Sequence, residues 1–354
     1  MTIKTIEWKN DRVVMLDQRL LPHREVYRVC RDYQQVAAAI RDMVIRGAPA
    51  IGVAAAMGVA LGALKAPQKT FDREFERILS SLAKTRPTAV NLFWALQRMR
   101  QIYSEKRSQG IDVVKRALKE EAQKIYQQDI AANKQLGKFG ASLLRNTKKI
   151  MTHCNAGALA TCGWGTATAP IFLAHAHGLP VHVWVSETRP RLQGANLTAW
   201  ELAQRGVPHT IVVDSACAAL MRRRDVDVVF VGADRVARNG DVCNKIGTYD
   251  KALAARDNDV PFYVALPSPT LDPSLATGDA IPIETRAPAE VLEVLGRDEY
   301  GQAIRVGVAP EHARALNPAF DVTPARLVTG LLTERGVATA SEAGLAALFP
   351  ERFA

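Results

Sequence analysis

Five short β-rich runs recur through the second half of the chain, and the stretches between them are long enough for helices. This alternation is typical of a parallel β-sheet with helices on both faces, and it predicts the α/β class. Ligands of such sheets bind outside the carboxyl ends of the strands, so the polar residues that end these runs are the first site candidates. The runs are KKIMTHC (148–154), PVHVWVSE (180–187), HTIVVDS (209–215), VDVVFVGAD (226–234) and PFYVALP (261–267).

The first half of the chain has a different pattern, which predicts a short β-ribbon followed by helices. Two apolar-rich runs, IKTIEWKN and RVVMLDQRLL, flank the turn pair Asn10-Asp11. From Leu118 to Leu143 apolar residues keep a helical spacing over about thirty residues, which predicts a helix about 45 Å long. We expect this helix to connect a ribbon-and-helix domain, residues 1–145, to a catalytic sheet domain, residues 146–354. The stretch from Asp272 to Arg305 is mixed in character and is expected to be loop-like.

Composition and charge narrow the class of protein. The length of 354 residues fits two domains, and the share of apolar residues, 48%, is ordinary for a soluble globular chain. Disordered and fibrous chains are therefore excluded. Lysine and arginine total 46 against 36 acidic residues, and the resulting formal net charge of +10 raises the question of an anionic partner.

Compartment and metal content can also be predicted. The most apolar run, Ala50 to Leu64, is shorter than the roughly 20 residues that span a bilayer, and the beginning MTIKTIEWKNDR lacks the apolar stretch of a signal peptide. We expect a cytoplasmic protein, and because the five cysteines are also odd in number, a disulfide framework is not expected. CxxC and HExxH pairs are absent, and no zinc site is expected.

Two arginines precede predicted helices and are candidates for binding an anion. Arg46 stands before the small residues 47–49, where the free N–H groups of a helix start and the arginine would attract a phosphate. The alternative for this segment is a tight contact between helices. Arg86 stands just before a helix that Thr88 is expected to cap, and the alternative for Arg86 is a solvated surface position.

Two residues at predicted strand ends are candidates for acid–base chemistry. Cys154 ends the first β-rich run before a glycine-rich turn, where nearby arginines or helix starts can lower the pKa of a thiol and make it a base, acid or nucleophile. The alternative is a buried structural cysteine. Asp234 ends a run with an apolar interior, and partial burial would raise its pKa and suit it to general acid–base work. Its alternatives are to cap a turn or to pair with Arg235.

Two further segments carry polar groups suited to ligand recognition. Gln193 belongs to ETRPRLQG, a dense polar stretch after the second strand, for which a solvated loop is the alternative. Asn244 and Lys245 follow the GADR segment. Lys245 offers a point charge for an anion, and the Asn244 amide can bond sugar hydroxyls.

Taken in order, these segments resemble a known family. The chain is similar to the methylthioribose-1-phosphate isomerases of methionine salvage from about residue 3 to residue 340, and the combination of long motifs is highly specific. The wider family includes ribose-1,5-bisphosphate isomerases and regulatory subunits of initiation-factor exchange complexes. The motifs are RGAPAIG, TRPTAVNLFWAL, THCNAGALAT, ETRPRLQGANLTAWEL, GADRVARNGDVCNKIGTY, PFYVALP, IPIE and LVTGLLTERGV.

The resemblance implies both a fold and a reaction. The fold is a small amino-terminal helical domain with a Rossmann-like domain, and the reaction is an aldose–ketose isomerisation of a phosphorylated sugar. It implies Asp234 as proton donor and Cys154 as its catalytic partner, and no metal or redox cofactor is required. It implies a homodimer, and neither nucleic acid nor membrane is an expected partner. The implied substrate-binding residues are Arg46, Gly47, Ala48, Arg86, Gln193, Asn244 and Lys245.

Two departures leave the exact substrate open. The segment CGWGTATAP stands where the family has a tyrosine-containing AGYGTA, and Cys243 stands where alanine is usual. 5-Deoxyribose 1-phosphate is therefore an alternative substrate. A ribose-1,5-bisphosphate isomerase is another alternative, which would need extra cationic groups for the second phosphate, and the sequence does not identify them. A non-catalytic regulatory subunit is a further alternative, against which Cys154 and Asp234 both argue. A nucleotide-dependent oxidoreductase would need GxGxxG, and the glycines of THCNAGALATCGWG have the wrong spacing.

Overall fold

The amino-terminal part of the protein contains a three-stranded antiparallel sheet and a group of helices. The structure is a computed structural model that describes residues 3–353. The elements of this part are β1 (Ile6–Trp8), β2 (Val13–Leu16), β3 (Tyr27–Cys30), α1 (Tyr33–Arg41), α2 (Ala48–Lys65), α3 (Phe71–Ala83), α4 (Val90–Lys106) and α5 (Ile111–Ser142).

The remaining elements alternate between strands and helices. They are β4 (Lys149–His153), α6 (Thr168–Ala176), β5 (His182–Ser186), α7 (Ala199–Gln204), β6 (His209–Val212), α8 (Cys217–Arg222), β7 (Val228–Val231), β8 (Arg235–Ala237), β9 (Val242–Lys245), α9 (Thr248–Asp257) and β10 (Phe262–Ala265). They continue with β11 (Leu271–Asp272), α10 (Ala289–Leu292), β12 (Glu293–Arg297), β13 (Ala303–Gly307), β14 (Phe320–Thr323), β15 (Gly330–Thr333), β16 (Gly336–Ala338), α11 (Glu342–Leu348) and α12 (Pro350–Phe353).

A seven-stranded sheet, in the order β16-β15-β10-β7-β4-β5-β6, forms the centre of the second half. Every neighbouring pair is parallel except β15 and β16, which are antiparallel. All five β-rich runs predicted from the sequence are strands of this sheet, so the α/β prediction is confirmed. The chain moves from β4 outward to β5 and β6 and then returns to place β7 on the other side of β4. Such a reversal opens a crevice at the carboxyl ends of the strands that flank it, here β4 and β7.

Side chains of the sheet alternate between two apolar layers, as the period of a strand requires. On β4, Ile150 packs into a cluster with α6 and α7, whereas Met151 packs into a cluster with α8, α9 and α11. On β7, Val228 and Val229 divide in the same way. Helices therefore cover both faces of the sheet, as predicted.

Helix α5 contacts both parts of the chain. It has 32 residues and is thus about 48 Å long, which confirms the predicted long helix. Its first half packs Leu118 and Ala122 against α2 and α4, and its second half packs Leu136 into the cluster that contains α6. The proposed domain division after residue 145 stays a prediction, as does any role for this helix as its connector.

Helix α2 is the centre of the amino-terminal core. Among residues 3–353 it is the helix long and apolar enough to cross a membrane, yet 89% of that segment is buried inside the protein. Gly62 allows the close approach of α3, because a Cβ there would lie 2.7 Å from Ile78 Cδ1. The small side chains of α2 thus serve packing between helices.

Two expectations about the elements were incomplete or wrong, and one sheet was not predicted. The predicted ribbon is a sheet of three strands, because β3 pairs with β2. The segment from Asp272 to Arg305 is not simply loop-like, since β12 and β13 form an antiparallel hairpin there. A four-stranded sheet, in the order β11-β8-β9-β14, was not predicted. Its strands have only two to four residues, too few for a readable alternation.

The close approach of α5 to α6 provides a test of the fold. A Cβ on Gly140 would collide with Pro170 and lie 2.6 Å from Leu332 Cδ2, so we expect Gly140→Ala to lower the free energy of unfolding by about 1–3 kcal/mol. Gly307→Ala is the matched control, because a Cβ there meets no atom within 4 Å. Urea denaturation of the two variants measures the difference, and equal midpoints would contradict the packing described.

Candidate active site

A pocket opens at the crevice between β4 and β7, where the start of α2 meets the carboxyl ends of the strands. All nine residues predicted as site residues line this single pocket, although they come from six separate segments of the chain. The nine are Arg46, Gly47, Ala48, Arg86, Cys154, Gln193, Asp234, Asn244 and Lys245.

The segment before α2 approaches the end of β4 very closely. Arg46 is buried, and its Nη2 donates to the backbone oxygen of Asn155 at 2.8 Å while Nη1 donates to Asn155 Oδ1. Gly47 has a φ of +91°, and a Cβ there would lie 2.6 Å from Ala160 Cβ. Only glycine fits this position. Helix α2 begins at Ala48 without a side-chain cap, which leaves its first N–H groups available at the pocket.

Cys154 follows β4 in the left-handed region, with a φ of +60°. Threonine hydroxyls hold its backbone, since its N–H donates to Thr188 Oγ1 at 2.8 Å and its carbonyl accepts from Thr198 Oγ1 at 2.6 Å. Its Sγ donates to Gln193 Oε1 at 3.5 Å. Burial raises the pKa of the Cys154 thiol, although Arg46 and Lys245 oppose the shift. The lowered thiol pKa considered from the sequence is therefore wrong, because desolvation outweighs the nearby cations.

Asp234 follows β7 and lines the same pocket as Cys154. Its N–H donates to Cys243 O at 2.9 Å. Burial raises the pKa of the Asp234 carboxyl against the opposing charges of Lys245, Arg46 and Arg86, in agreement with the sequence expectation.

The sequence alternative that paired Asp234 with Arg235 is wrong. Arg235 points to other partners, since its Nη2 donates to Thr88 O at 2.8 Å and its Nη1 lies 3.5 Å from Asp272 Oδ2. Asp234 is therefore left in the pocket without this counter-charge.

Lys245 brings a cation to the same pocket. Its Nζ donates to Ala319 O at 2.8 Å and lies 4.3 Å from the centroid of the Phe320 ring. Burial lowers the pKa of Lys245, while Cys154 and Asp234 oppose that shift. Its neighbour Asn244 is buried and donates to Thr248 Oγ1 at 3.0 Å.

Arg86 has one buried donor to spare. Its side chain is 11% exposed, and Nη2 lies 3.4 Å from Glu284 Oε2. Its Nε is buried and has no hydrogen-bond partner among residues 3–353. The expected cap at Thr88 is wrong, since the N-cap residue of α4, directly before Val90, is Ala89 and makes no side-chain cap.

Two residues that sequence reasoning missed hold Arg46 in place. Asn155 donates to Glu201 Oε1 at 2.8 Å, which directs its Oδ1 toward Arg46. Glu201 is fully buried and also accepts from the N–H groups of Ala158 and Leu159 at 2.6 and 2.9 Å. The only sequence signal for Glu201 is an acidic residue between Trp200 and Leu202 in an otherwise apolar helical segment.

His153 is buried, and both of its ring nitrogens have polar partners. No group of three or more histidine, cysteine or acidic side chains within residues 3–353 is placed to hold a metal ion. All five cysteines are free and buried.

Comparison with known proteins gives consistent results. Residues 44–340 match the initiation factor 2 subunit family. The methylthioribose-1-phosphate isomerase of Geobacter sulfurreducens is 51% identical over 340 residues, which cover 95% of this chain and 96% of that protein. The crystal structure of 5-methylthioribose 1-phosphate isomerase from Pyrococcus horikoshii OT3 superposes with a TM-score of 0.87 at 42% identity, covering 98% of this chain and 96% of that one.

A differently named protein is also similar. The crystal structure of translation initiation factor eIF-2B, subunit delta, from A. fulgidus superposes with a TM-score of 0.83 at 35% identity. The match covers 99% of this chain and 100% of that chain.

The buried Nε of Arg86, which has no hydrogen-bond partner among the described residues, allows a test of whether the pocket binds an anion. We expect Arg86→Gln to raise the Kd for inorganic phosphate at least about tenfold, or about 1.4 kcal/mol, because the anion would satisfy the buried Nε. Titration calorimetry measures the Kd. Arg100→Gln is the control, since Arg100 pairs with Glu76 on an exposed surface. Unchanged phosphate binding in Arg86→Gln would contradict this assignment.

Proposed function

Because this chain belongs to the initiation factor 2 subunit family and its methylthioribose-1-phosphate isomerase relatives align along nearly their whole length, we propose that it converts 5-methylthioribose 1-phosphate to 5-methylthioribulose 1-phosphate. The reaction is an intramolecular oxidoreduction of an aldose to a ketose. The observation that carries the proposal is the meeting of Cys154 and Asp234 with the cations Arg46, Arg86 and Lys245 in one pocket at the strand-order reversal.

The substrate explains why a protonated carboxyl is useful here. Its C1 hydroxyl carries the phosphate, so the ring cannot open to a free aldehyde as ordinary aldoses do. The ring oxygen must leave C1 with the help of a proton. The raised pKa of Asp234 favours the protonated form, and we assign this residue as the acid that donates to the ring oxygen.

Cys154 is assigned to the hydrogen transfer that follows. In an enediol route a base removes the C2 proton, and a proton is then added to C1 while the C2 hydroxyl loses its proton to become the ketone. In a hydride route the C2 hydrogen moves to C1 with its electron pair, and the C2 hydroxyl loses its proton to become the ketone. Both routes place a group beside C2, and they differ in whether the migrating hydrogen exchanges with solvent. Burial raises the pKa of the Cys154 thiol, and this favours the protonated thiol at the start of the reaction.

The cations are assigned to the phosphate. Arg46, Arg86 and Lys245 line the pocket with the start of α2, and together they match a dianionic group. Binding energy at the phosphate then orients C1 and C2 between Asp234 and Cys154. We assign Gln193 and Asn244 to the polar atoms of the sugar.

The 5-substituent is assigned to the apolar part of the pocket wall. Met43, Ile281, Pro282 and Phe320 contribute this part, which suits a methylthio group or a 5-deoxy carbon. A second phosphate at the 5-position would need further cations. Ribose 1,5-bisphosphate is accordingly the weakest of the three substrates considered.

The physiological setting is part of the same proposal. The enzyme would act in methionine salvage, in the cytoplasm, as a homodimer and without nucleic acid or a membrane as partner. Exposed apolar side chains on the β12–β13 hairpin, among them Leu295, Ile304 and Val306, offer a surface of the kind that dimers bury. Light scattering on the purified protein distinguishes dimer from monomer.

A regulatory subunit is the second candidate, because the A. fulgidus structure carries an initiation-factor name at 35% identity. The presence of both Cys154 and Asp234 with the cationic set favours the enzyme. Turnover separates the two. We expect kcat/KM for 5-methylthioribose 1-phosphate to equal or exceed that for 5-deoxyribose 1-phosphate and to exceed that for ribose 1,5-bisphosphate by at least about tenfold. Absence of turnover with all three sugars would refute the isomerase.

Variants of the two assigned catalytic residues test their roles. We expect Asp234→Asn and Cys154→Ser to lower kcat by at least about a hundredfold, since each removes a group that acts on the reacting atoms. Circular dichroism and thermal melting should show folded proteins. Asp257→Asn, on the exposed face of α9, and Cys30→Ser, in β3, are the matched controls and should retain activity. Near-normal kcat in either site variant would remove that residue from the mechanism.

A further inference from the structure

His153 is the last residue of β4 and is 1% exposed. Its Nε2 lies 2.8 Å from Ile246 O, and its Nδ1 lies 3.2 Å from both Ser186 Oγ and Thr188 Oγ1. A carbonyl oxygen can only accept, so Nε2 carries the proton and Nδ1 accepts from a hydroxyl. Both nitrogens are thus occupied, and the ring has no free group to offer a substrate.

On the Nδ1 side, His153 supports the backbone of Cys154 through Thr188. The Thr188 hydroxyl oxygen accepts from the Cys154 N–H at 2.8 Å, and its own proton has two acceptors within reach, Ser186 O at 2.9 Å and His153 Nδ1 at 3.2 Å. Because the Ser186 hydroxyl donates to Asp214, Thr188 is the hydroxyl that can donate to Nδ1. Cys154 and Thr188 both have left-handed backbones, with φ of +60° and +66°. Such conformations persist in non-glycine residues only where the surroundings hold them.

On the Nε2 side, the same ring holds the segment that carries Lys245. Ile246 directly follows Lys245, which ends β9. The next residue, Gly247, is so close that a Cβ there would lie 3.3 Å from His153 Cε1. The position of the ring therefore fixes how near this segment comes to the end of β4.

Asp214 holds the segment that contains Ser186 and Thr188, the two hydroxyl partners of His153 Nδ1. It accepts from the N–H groups of Thr188 and Arg189 at 2.9 and 2.7 Å and from the Ser186 hydroxyl, and Lys251 Nζ lies 3.8 Å away. Burial, together with the charge of Lys251, lowers the pKa of His153 to about 3. The ring is therefore neutral at physiological pH and keeps one tautomer.

We propose that His153 is a positioning residue: its ring connects the Cys154 backbone, through Thr188, to the Lys245 segment, through Ile246, and so sets the geometry of the thiol relative to the ammonium group. The roles of Cys154 and Lys245 in this inference rest on the proposed function. Because the two connections use different nitrogens, they can be separated by substitution.

Two amide variants separate them. In His153→Gln the amide nitrogen can take the place of Nε2 and keep the bond to Ile246, while the support of Thr188 is lost. In His153→Asn the shorter amide can keep an acceptor near Thr188, while Ile246 is released. We expect His153→Gln to lower kcat about tenfold or more with KM nearly unchanged, and His153→Asn to raise KM about tenfold with kcat nearly unchanged.

Two readouts do not require turnover. Alkylation of Cys154 by iodoacetamide, located by peptide mass spectrometry, should change severalfold in His153→Gln and stay near that of the unmodified protein in His153→Asn. The Kd for inorganic phosphate should rise in His153→Asn and stay unchanged in His153→Gln. If the protein without substitutions is inactive on every sugar phosphate, the proposed function is refuted. The alkylation rate and the phosphate Kd would then still test the positioning role of His153.

Control variants complete the test. His182→Gln replaces a partly exposed histidine of β5 that bonds Thr210, and it should leave both readouts unchanged. Thr188→Val should reproduce His153→Gln, and Thr188→Ser, which keeps the hydroxyl, should restore normal values. Parallel changes of kcat and KM in both amide variants would overturn the inference. If the His153 variants do not fold, equal kcat and equal Cys154 alkylation in Thr188→Val and Thr188→Ser would overturn it.

Discussion

The contact between the Arg46 guanidinium and Asn155 joins the start of α2 to the end of β4, and the pocket exists only because these two places meet. Burying a guanidinium is unfavourable unless its donors are satisfied. Here Asn155 accepts from both terminal nitrogens through its side chain and its backbone. Glu201 in turn holds the Asn155 amide and the N–H groups of the next turn. A buried carboxylate thus balances the buried arginine through one intervening amide.

The electrostatic balance of the pocket follows from a competition between burial and charge. Burial favours the neutral forms of Asp234 and Cys154, while Arg46 and Lys245 favour their ionised forms. Burial prevails in both cases and raises both pKa values, which weakens the negative charge that these two groups place in the pocket. A bound phosphate would bring negative charge to the cations that line the same pocket. The chain's surplus of positive charge matters to this site only through these few side chains, since most of it lies elsewhere on the surface.

The sequence predicts the parts of this structure that depend on period and order. The five parallel strands were readable because each is a short apolar run bounded by polar residues, and strand ends then indicated where Cys154 and Asp234 would stand. The small sheet β11-β8-β9-β14 was not readable, because its strands are too short to show a pattern. The pKa of Cys154 was misjudged because a sequence shows neighbouring charges but not the degree of burial. Glu201 and Asp214 were missed for a related reason, since their partners lie far away in the chain and only the fold brings them together.

Helix α2 has a consequence for the synthesis of the chain. It is as apolar as a membrane span, and the helices that enclose it, α4 and α5, follow it in the sequence. On the ribosome α2 therefore emerges before α4 and α5, which later bury it. During that interval the nascent chain exposes a long apolar segment to chaperones and to other chains. The alanines and glycines that let α2 pack so closely also reduce this hazard, because a segment of small side chains is less adhesive than one of leucine and isoleucine. The small side chains of α2 thus serve both the packing of the folded core and the solubility of the nascent chain.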